Sequence, residues 1–289
     1  MRLAKRILKF ILYSNIFLAL CATALVWETY LLTNMPISLR LGVIVFFSTF
    51  FIYNVDSLLP YKFNQEGGHT PRAAWIQKNR LELIFLSLGS ALSVLFLYWT
   101  AIFDLNFWFL LHLVVVAGLY SVAIVPEGDR YIPLRDIPLL KVFLIAYVWS
   151  AVTVQLPLME AGRDLFAGEN LLIFLRRFLF LFALTLVFDI RDLYKDKQSG
   201  TLTFPGKWGV LKTKQIALAA LVLYVLLAPL SMSWAAAIGL GLAGVGAALV
   251  VWNAHQYRSQ YYFLVLADGM MLVQFILVWL LSGAFTIPL

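Results

Sequence analysis

The sequence predicts an all-α, polytopic membrane protein with nine transmembrane helices and an active site opening to the cytoplasmic side. Three observations carry that prediction. Hydrophobic residues make up 62% of the 289 positions and charged residues 13%, with a mean hydropathy of +0.88, whereas about a quarter of a soluble domain is charged. The apolar residues fall in windows of about 20, the length that crosses a bilayer as a helix, and no alternating β-barrel pattern replaces them. The Lys and Arg residues gather between alternate windows, as the positive-inside rule requires.

Taken in order, the windows are Ile7–Trp27, Ile37–Leu59, Leu81–Phe103, Leu105–Val125, Ile137–Met159, Leu171–Phe188, Gln215–Met232, Trp234–Trp252 and Tyr261–Ala284. The first is too long for a removed signal peptide and no small-residue cleavage site follows it, so it reads as a retained helix. It contains Cys21, the single cysteine, which excludes a disulfide framework and a cysteine-based metal site. Nine spans put the termini on opposite sides. A cytoplasmic N-terminus places Arg2, Lys5, Arg6 and Lys9 inside, together with Lys62, Arg72, Lys78 and Arg80 after the second span. Arg130, Arg135 and Lys141 lie beside the fourth–fifth connection, and Arg191, Lys195, Lys197, Lys207, Lys212 and Lys214 follow the sixth span. Arg258 precedes the ninth, while Arg40 and Arg163 approach the outer face. The net charge of +7 and pI near 9.5 therefore report topology, and no nucleic-acid partner is implied. Residues 1–289 read as one transmembrane domain whose longer polar loops, Pro60–Arg80 and Asp189–Lys214, both face the cytoplasm. An active site should open there.

Ionisable groups inside apolar spans are costly, which makes each a functional candidate. Lys141 is placed either to reach a diphosphate or to snorkel to the interface. Arg176 and Arg177 read as snorkelling, or as pairing with acidic loop residues. His112 reads as an interhelical hydrogen-bonding residue rather than a metal ligand. Asp268, next to Gly269 in the last window, has no interfacial escape and is read as lining the cavity, with an interhelical hydrogen bond as the alternative.

The stretch from Asp189 to Pro205 carries three of the chain's 15 acidic residues within eight positions. If the sixth helix runs through it, Asp189, Asp192 and Asp196 fall at i, i+3 and i+7 on one face. Carboxylates so close repel one another, so a cation is expected on that face. Mg²⁺, which takes one or two carboxylates and completes its shell with phosphate oxygens and water, suits it. Gly200 supplies a helix stop, and Pro205 is expected to prevent an immediate restart.

At the end of the second span stand Tyr53, Asn54 and Asp56, followed by Asn64, Glu66, His69 and the triplet Thr70-Pro71-Arg72. This side is poor in carboxylates, since Pro60 and Asn64 occupy the positions four and eight beyond Asp56.

With these residues in view, the chain resembles the UbiA superfamily of intramembrane prenyltransferases, whose members have nine transmembrane helices around a central cavity. The family's second aspartate-rich motif matches Asp192-Leu-Tyr-Lys-Asp196, preceded by Asp189-Ile-Arg191 and followed by Gly200-x-x-Thr203-x-Pro205. Its first motif is present only in part, as Tyr53-Asn54-Val-Asp56, with Arg72 resembling a downstream arginine. The resemblance implies a membrane-bound enzyme that moves a prenyl group from a prenyl diphosphate to an aromatic or other lipophilic acceptor, with Mg²⁺ as cofactor. It implies Asp192 and Asp196 as metal ligands and Asp189 as a further carboxylate. It also implies Arg191, Lys195, Arg72 and Lys141 as diphosphate contacts, with Asn54 and Asp56 as a remnant of the first metal site. A second reading keeps the fold without the transferase chemistry, as a divergent UbiA-like protein in isoprenoid or lipid binding or transport.

Overall fold

The computed structural model describes residues 2–58, 71–100, 106–121, 125–127, 130–132, 134–198 and 200–282. Expectations placed on Leu59, Pro60, Lys62, Asn64, Glu66, His69 and Thr70 lie outside these residues, as do the far ends of the third and ninth windows.

The chain is almost wholly helical. In order it forms α1 (Arg2–Tyr13), α2 (Ile16–Leu32), α3 (Leu39–Leu58), the short α4 (Pro71–Lys78), α5 (Arg80–Thr100) and α6 (Phe107–Ser121). A small antiparallel pair follows, β1 (Val125–Glu127) with β2 (Arg130–Ile132). Then come α7 (Leu140–Ser150), continued through a π-helical turn into α8 (Leu156–Glu160), and α9 (Gly168–Gln198), α10 (Phe204–Leu227), α11 (Trp234–Asn253) and α12 (Gly269–Ser282). A π-helical stretch, Tyr262–Ala267, leads into α12.

Among the described residues seven helical segments are long and apolar enough to cross a membrane, and α1 with α2 forms an eighth that is bent by 61°. At 15 residues, α6 is shorter than the about 20 that a bilayer requires. The expected single first span is therefore a broken one. Its break falls at Ser14-Asn15, where Asn15 takes a left-handed backbone (φ 65°), a conformation asparagine tolerates better than most residues.

The axis of the bundle is α9. In the apolar window of this 31-residue helix 61% of residues are buried, against 17% in α5, so α9 is sheathed by protein while α5 faces lipid. Its run Phe180–Val187 is buried and packs in one core with Cys21 and Leu25 of α2, Val142 and Ala146 of α7, and residues of α10, α11 and α12. Small residues let the outer helices close in. A Cβ on Gly239 of α11 would stand 3.1 Å from the Leu277 carbonyl of α12, the close backbone approach that membrane helices use in place of a hydrophobic driving force.

The condition on which the three aspartates share a face is met: α9 continues through Asp196 and stops just before Gly200, whose φ of 74° is left-handed. The Gly200 N–H donates to Lys197 O at 3.3 Å and the Thr201 N–H to Asp196 O at 2.9 Å, which closes the last turn. A side chain at position 200 is strained by the backbone alone. Gly200→Ala is expected to lower stability by about 1–2 kcal/mol, read as an earlier thermal unfolding midpoint in a fixed detergent.

Two expectations are corrected here. Pro205 does not block a restart: it sits in the first turn of α10, where its missing N–H has no intrahelical partner to lose. Arg176 and Arg177 do not snorkel. Each is 2% exposed, and Arg177 points inward, with Nη2 3.3 Å from Glu28 Oε1 of α2 and Nη1 donating to Leu25 O at 3.0 Å. Arg176 donates to Leu172 O and Ala228 O, while Gln274 Nε2 of α12 donates to Glu28 Oε1 at 2.6 Å. Burial of the arginines follows from Glu28, which is itself buried in α2 one residue beyond the first apolar window and supplies a counter-charge at that depth.

Candidate ligand-binding cavity

A cavity of about 360 Å³ opens between α2, α3, α4, α7, α9 and the start of α12. Its two ends differ in chemistry. Five aspartates (Asp56, Asp136, Asp192, Asp196 and Asp268) and four cations (Arg72, Lys141, Arg191 and Lys195) share its wall. On the α9 side the lining runs from Leu181 and Leu184 through Phe188 to Asp192 and Asp196. Leu181 and Asp196 are fifteen residues apart, about 22 Å along a helix axis, so α9 alone carries the wall from hydrocarbon to charge.

Lys141 is fixed by its neighbours. Leu139, just before α7, holds a left-handed backbone (φ 64°), and its N–H donates to Leu202 O at 3.1 Å, tying the start of α7 to the α9–α10 connection. The Lys141 ammonium then lies 3.0 Å from Asp189 Oδ1 and 3.9 Å from Asp196 Oδ2. Lys141 thus lies on the cavity wall, paired with α9 carboxylates.

The three α9 aspartates do not act as one cluster. Asp189 is 1% exposed, off the cavity lining, and directed to Lys141. Asp192 receives a two-pronged hydrogen bond from Arg191, both arms 2.8 Å, and that guanidinium stacks over Phe188 and Phe263 at 4.8 and 5.6 Å. Asp196 faces Lys141 from the cavity wall. Among the described residues no group of three His, Cys, Asp or Glu side chains converges to hold a metal ion. Of the expected metal residues, Asp56, Asp192 and Asp196 line the cavity while Asp189 does not, and Lys141 and Arg191 pair with the α9 carboxylates. What remains is Asp192 with Asp196, one helical turn apart and both on the wall. That pair fits Mg²⁺, which takes one or two carboxylates and leaves the rest of its shell to phosphate and water.

On the opposite wall, Asp56 and Arg72 line the cavity but Asn54 does not. Fully buried, Asn54 donates to Ser14 O at 2.9 Å and Phe50 O at 2.8 Å and accepts from Asn15 Nδ2 at 3.2 Å. Asn15 Oδ1 in turn accepts from Arg72. Asn54 therefore holds the α1–α2 break and, through Asn15, the Arg72 guanidinium. Burial lowers the Arg72 pKa from its ordinary 12.5 to about 10, with Arg191 acting in the same direction and Asp268 and Asp56 opposing it. It remains a cation at neutral pH.

Asp268 lines the cavity, 7% exposed, directly after the π-helical stretch, a local irregularity frequent at functional positions. His112 sits apart, with Nε2 3.4 Å from the Tyr147 hydroxyl across the α6–α7 contact. Several lining residues were not legible in advance: Asn15, Asp136, and Trp149, whose Nε1–H donates to Tyr53 Oη at 2.8 Å and fixes both rings. The left-handed tendency of an asparagine interrupting an apolar run is the one signal that points to Asn15.

The architecture is that of UbiA-type membrane proteins. A structure of digeranylgeranylglyceryl phosphate synthase aligns over 99% of this chain and 100% of its own, at 16% identity and a TM-score of 0.55. A UbiA homologue from Archaeoglobus fulgidus bound to GPP and Mg²⁺ aligns over 93% of this chain and 99% of its own, at 13% identity and a TM-score of 0.56. A second structure of a UbiA homologue from Archaeoglobus fulgidus aligns over the same shares at 15% identity. No protein-family model and no curated protein matches the sequence.

Proposed function

We propose that the chain is an integral-membrane prenyltransferase that binds a prenyl diphosphate in this cavity, with the cavity opening toward the cytoplasm. The observation that carries the reading is the lengthwise polarity of the cavity: charged groups at one end and a hydrocarbon wall along the rest, the shape of a diphosphate head with an isoprenoid tail. The Archaeoglobus homologue, bound to GPP and Mg²⁺, supports a head-and-tail ligand of this kind with a divalent ion beside it.

In this reading Arg72, Lys141, Arg191 and Lys195 bind the diphosphate oxygens, and Asp192 and Asp196 would hold Mg²⁺ against them. Bound there, the ion neutralises the diphosphate as a leaving group. The C1–O bond of the prenyl chain breaks with its electron pair leaving on the diphosphate, and the same carbon bonds to the acceptor, which gives up a proton. Tyr53 and Trp149 also line the cavity, and their aromatic rings would stabilise a developing allylic cation. The apolar lining excludes the water that would otherwise capture that cation.

The wall also supports a second reading. Arg191 occupies Asp192 and Lys141 stands between Asp189 and Asp196, an arrangement that suits ligand binding without transfer. An unreactive prenyl thiodiphosphate separates the question of binding from that of turnover. Calorimetry on the purified chain with Mg²⁺ should show saturable binding, and Lys141→Met should weaken it by at least tenfold, since a charge-assisted contact contributes roughly 1.5–3 kcal/mol. No binding at all would overturn both readings; binding with no diphosphate release from a reactive prenyl diphosphate would select the second.

A further inference from the structure

The 61° bend within the broken first span turns α1 away from the direction of α2 and gives it a surface of its own. It meets α2 at its C-terminal end and packs on the short α4. Its last turn is anchored: Leu12 and Tyr13 are buried against Leu264 and Trp75, and the Tyr13 ring packs 5.8 Å from Trp75 and 6.3 Å from Tyr261. The rest projects away. Leu3, Ile7 and Leu8 are 69%, 51% and 51% exposed and share one side of the helix at i, i+4 and i+5. Lys5, Arg6 and Lys9 occupy the other side at i, i+1 and i+4.

A helix with apolar residues exposed on one face and cations on the other lies in a bilayer interface, its apolar face among the acyl chains and its basic face among headgroups. Among the described residues neither Lys5 nor Arg6 has an acidic partner, and Lys9 lies 5.3 Å over the Tyr13 ring. Lys5 and Arg6 are therefore open to an anion from outside the chain.

The geometry points to α1 as a binding site for anionic phospholipid headgroups, an interfacial helix that seats the rim of the cavity on the membrane surface. The rim is involved because Leu12 and Asn15 belong both to this helix junction and to the cavity lining. Each cation near an anionic surface strengthens association about fivefold, and the effect fades within a Debye length.

The experiment uses the full chain in nanodiscs of phosphatidylcholine with or without phosphatidylglycerol. Cys21 is wholly buried, so single cysteines placed by Ile7→Cys or Arg6→Cys take an environment-sensitive fluorophore selectively. The label at position 7 should be quenched by spin-labelled lipid and the label at position 6 by aqueous iodide. Phosphatidylglycerol should increase the lipid quenching at position 7, and high salt should reverse that increase. In mass spectra of the purified chain, Lys5→Gln/Arg6→Gln/Lys9→Gln should retain at least tenfold less phosphatidylglycerol relative to phosphatidylcholine. Equal iodide access at positions 6 and 7, or unchanged lipid retention in the triple variant, overturns the proposal. The exposed single-site labels keep the test valid if the triple variant folds poorly.

Discussion

Asp192→Asn and Asp196→Asn are each expected to lower Mg²⁺-dependent release of diphosphate from a prenyl diphosphate by about 10²–10³-fold, the usual cost of removing one preorganised electrostatic group that meets charge developing in a transition state. Both carboxylates line the cavity one helical turn apart, and either substitution keeps the side-chain volume while removing the charge. The two variants should differ in how they fail. Asp192→Asn also releases Arg191 from its two-pronged contact, leaving that cation free to hold the diphosphate, so affinity for the prenyl thiodiphosphate should fall less than turnover. Asp196→Asn removes a counter-charge of Lys141 and should increase that lysine's hold on the ligand. Diphosphate release measured on purified protein, with Mg²⁺ varied and a lipid extract as the source of acceptor, reads both effects. Turnover equal to wild type in both variants would remove the metal assignment and leave the cavity as a binding site.

How much of this was legible in the sequence depends on the range over which each feature is determined. Spans and their order follow from local composition, and the run of α9 through Asp196 with its stop at Gly200 follows from helical spacing and one residue's backbone freedom. Asp192, Asp196, Arg191, Lys195, Arg72 and Lys141, which the resemblance implies as site residues, line one cavity. Partnerships were not legible, because they join distant elements. Nothing near Asp189 says that Lys141, on another helix, takes its charge; nothing near Asn54 says that it braces Asn15. The break of the first span was hidden because Ser14 and Asn15 are too few to interrupt an apolar window, while a left-handed Asn15 held by Asn54 is enough to turn the chain. Pro205 misled because proline ends a helix interior but suits a helix start.

The buried pair Glu28–Arg177 makes the largest stability prediction. Both residues are at most 2% exposed, and the pair joins α2 to α9 with Gln274 of α12 on the same carboxylate oxygen. Removing one partner strands a charge at a site where both side chains are almost wholly buried. Glu28→Ala and Arg177→Met are each expected to destabilise the fold by about 3–5 kcal/mol, the range for a broken buried ion pair. Glu28→Ala should be the worse, since it leaves Arg176 and Arg177 together without the carboxylate. Removing both charges as Glu28→Leu/Arg177→Met should recover at least half of the loss, because the desolvation cost of the two ions disappears with them. Thermal unfolding of the four proteins in one lipid mixture gives the comparison. A double variant no more stable than the worse single one would mean that geometry, and not charge pairing, holds α2 at this position. The pair also bears on the cavity, to which α2 contributes Phe17 and Leu18. A ligand that binds only the folded bundle stabilises it by mass action, so saturating prenyl thiodiphosphate should raise the unfolding midpoint of the Arg177→Met variant wherever α2 still reaches its place.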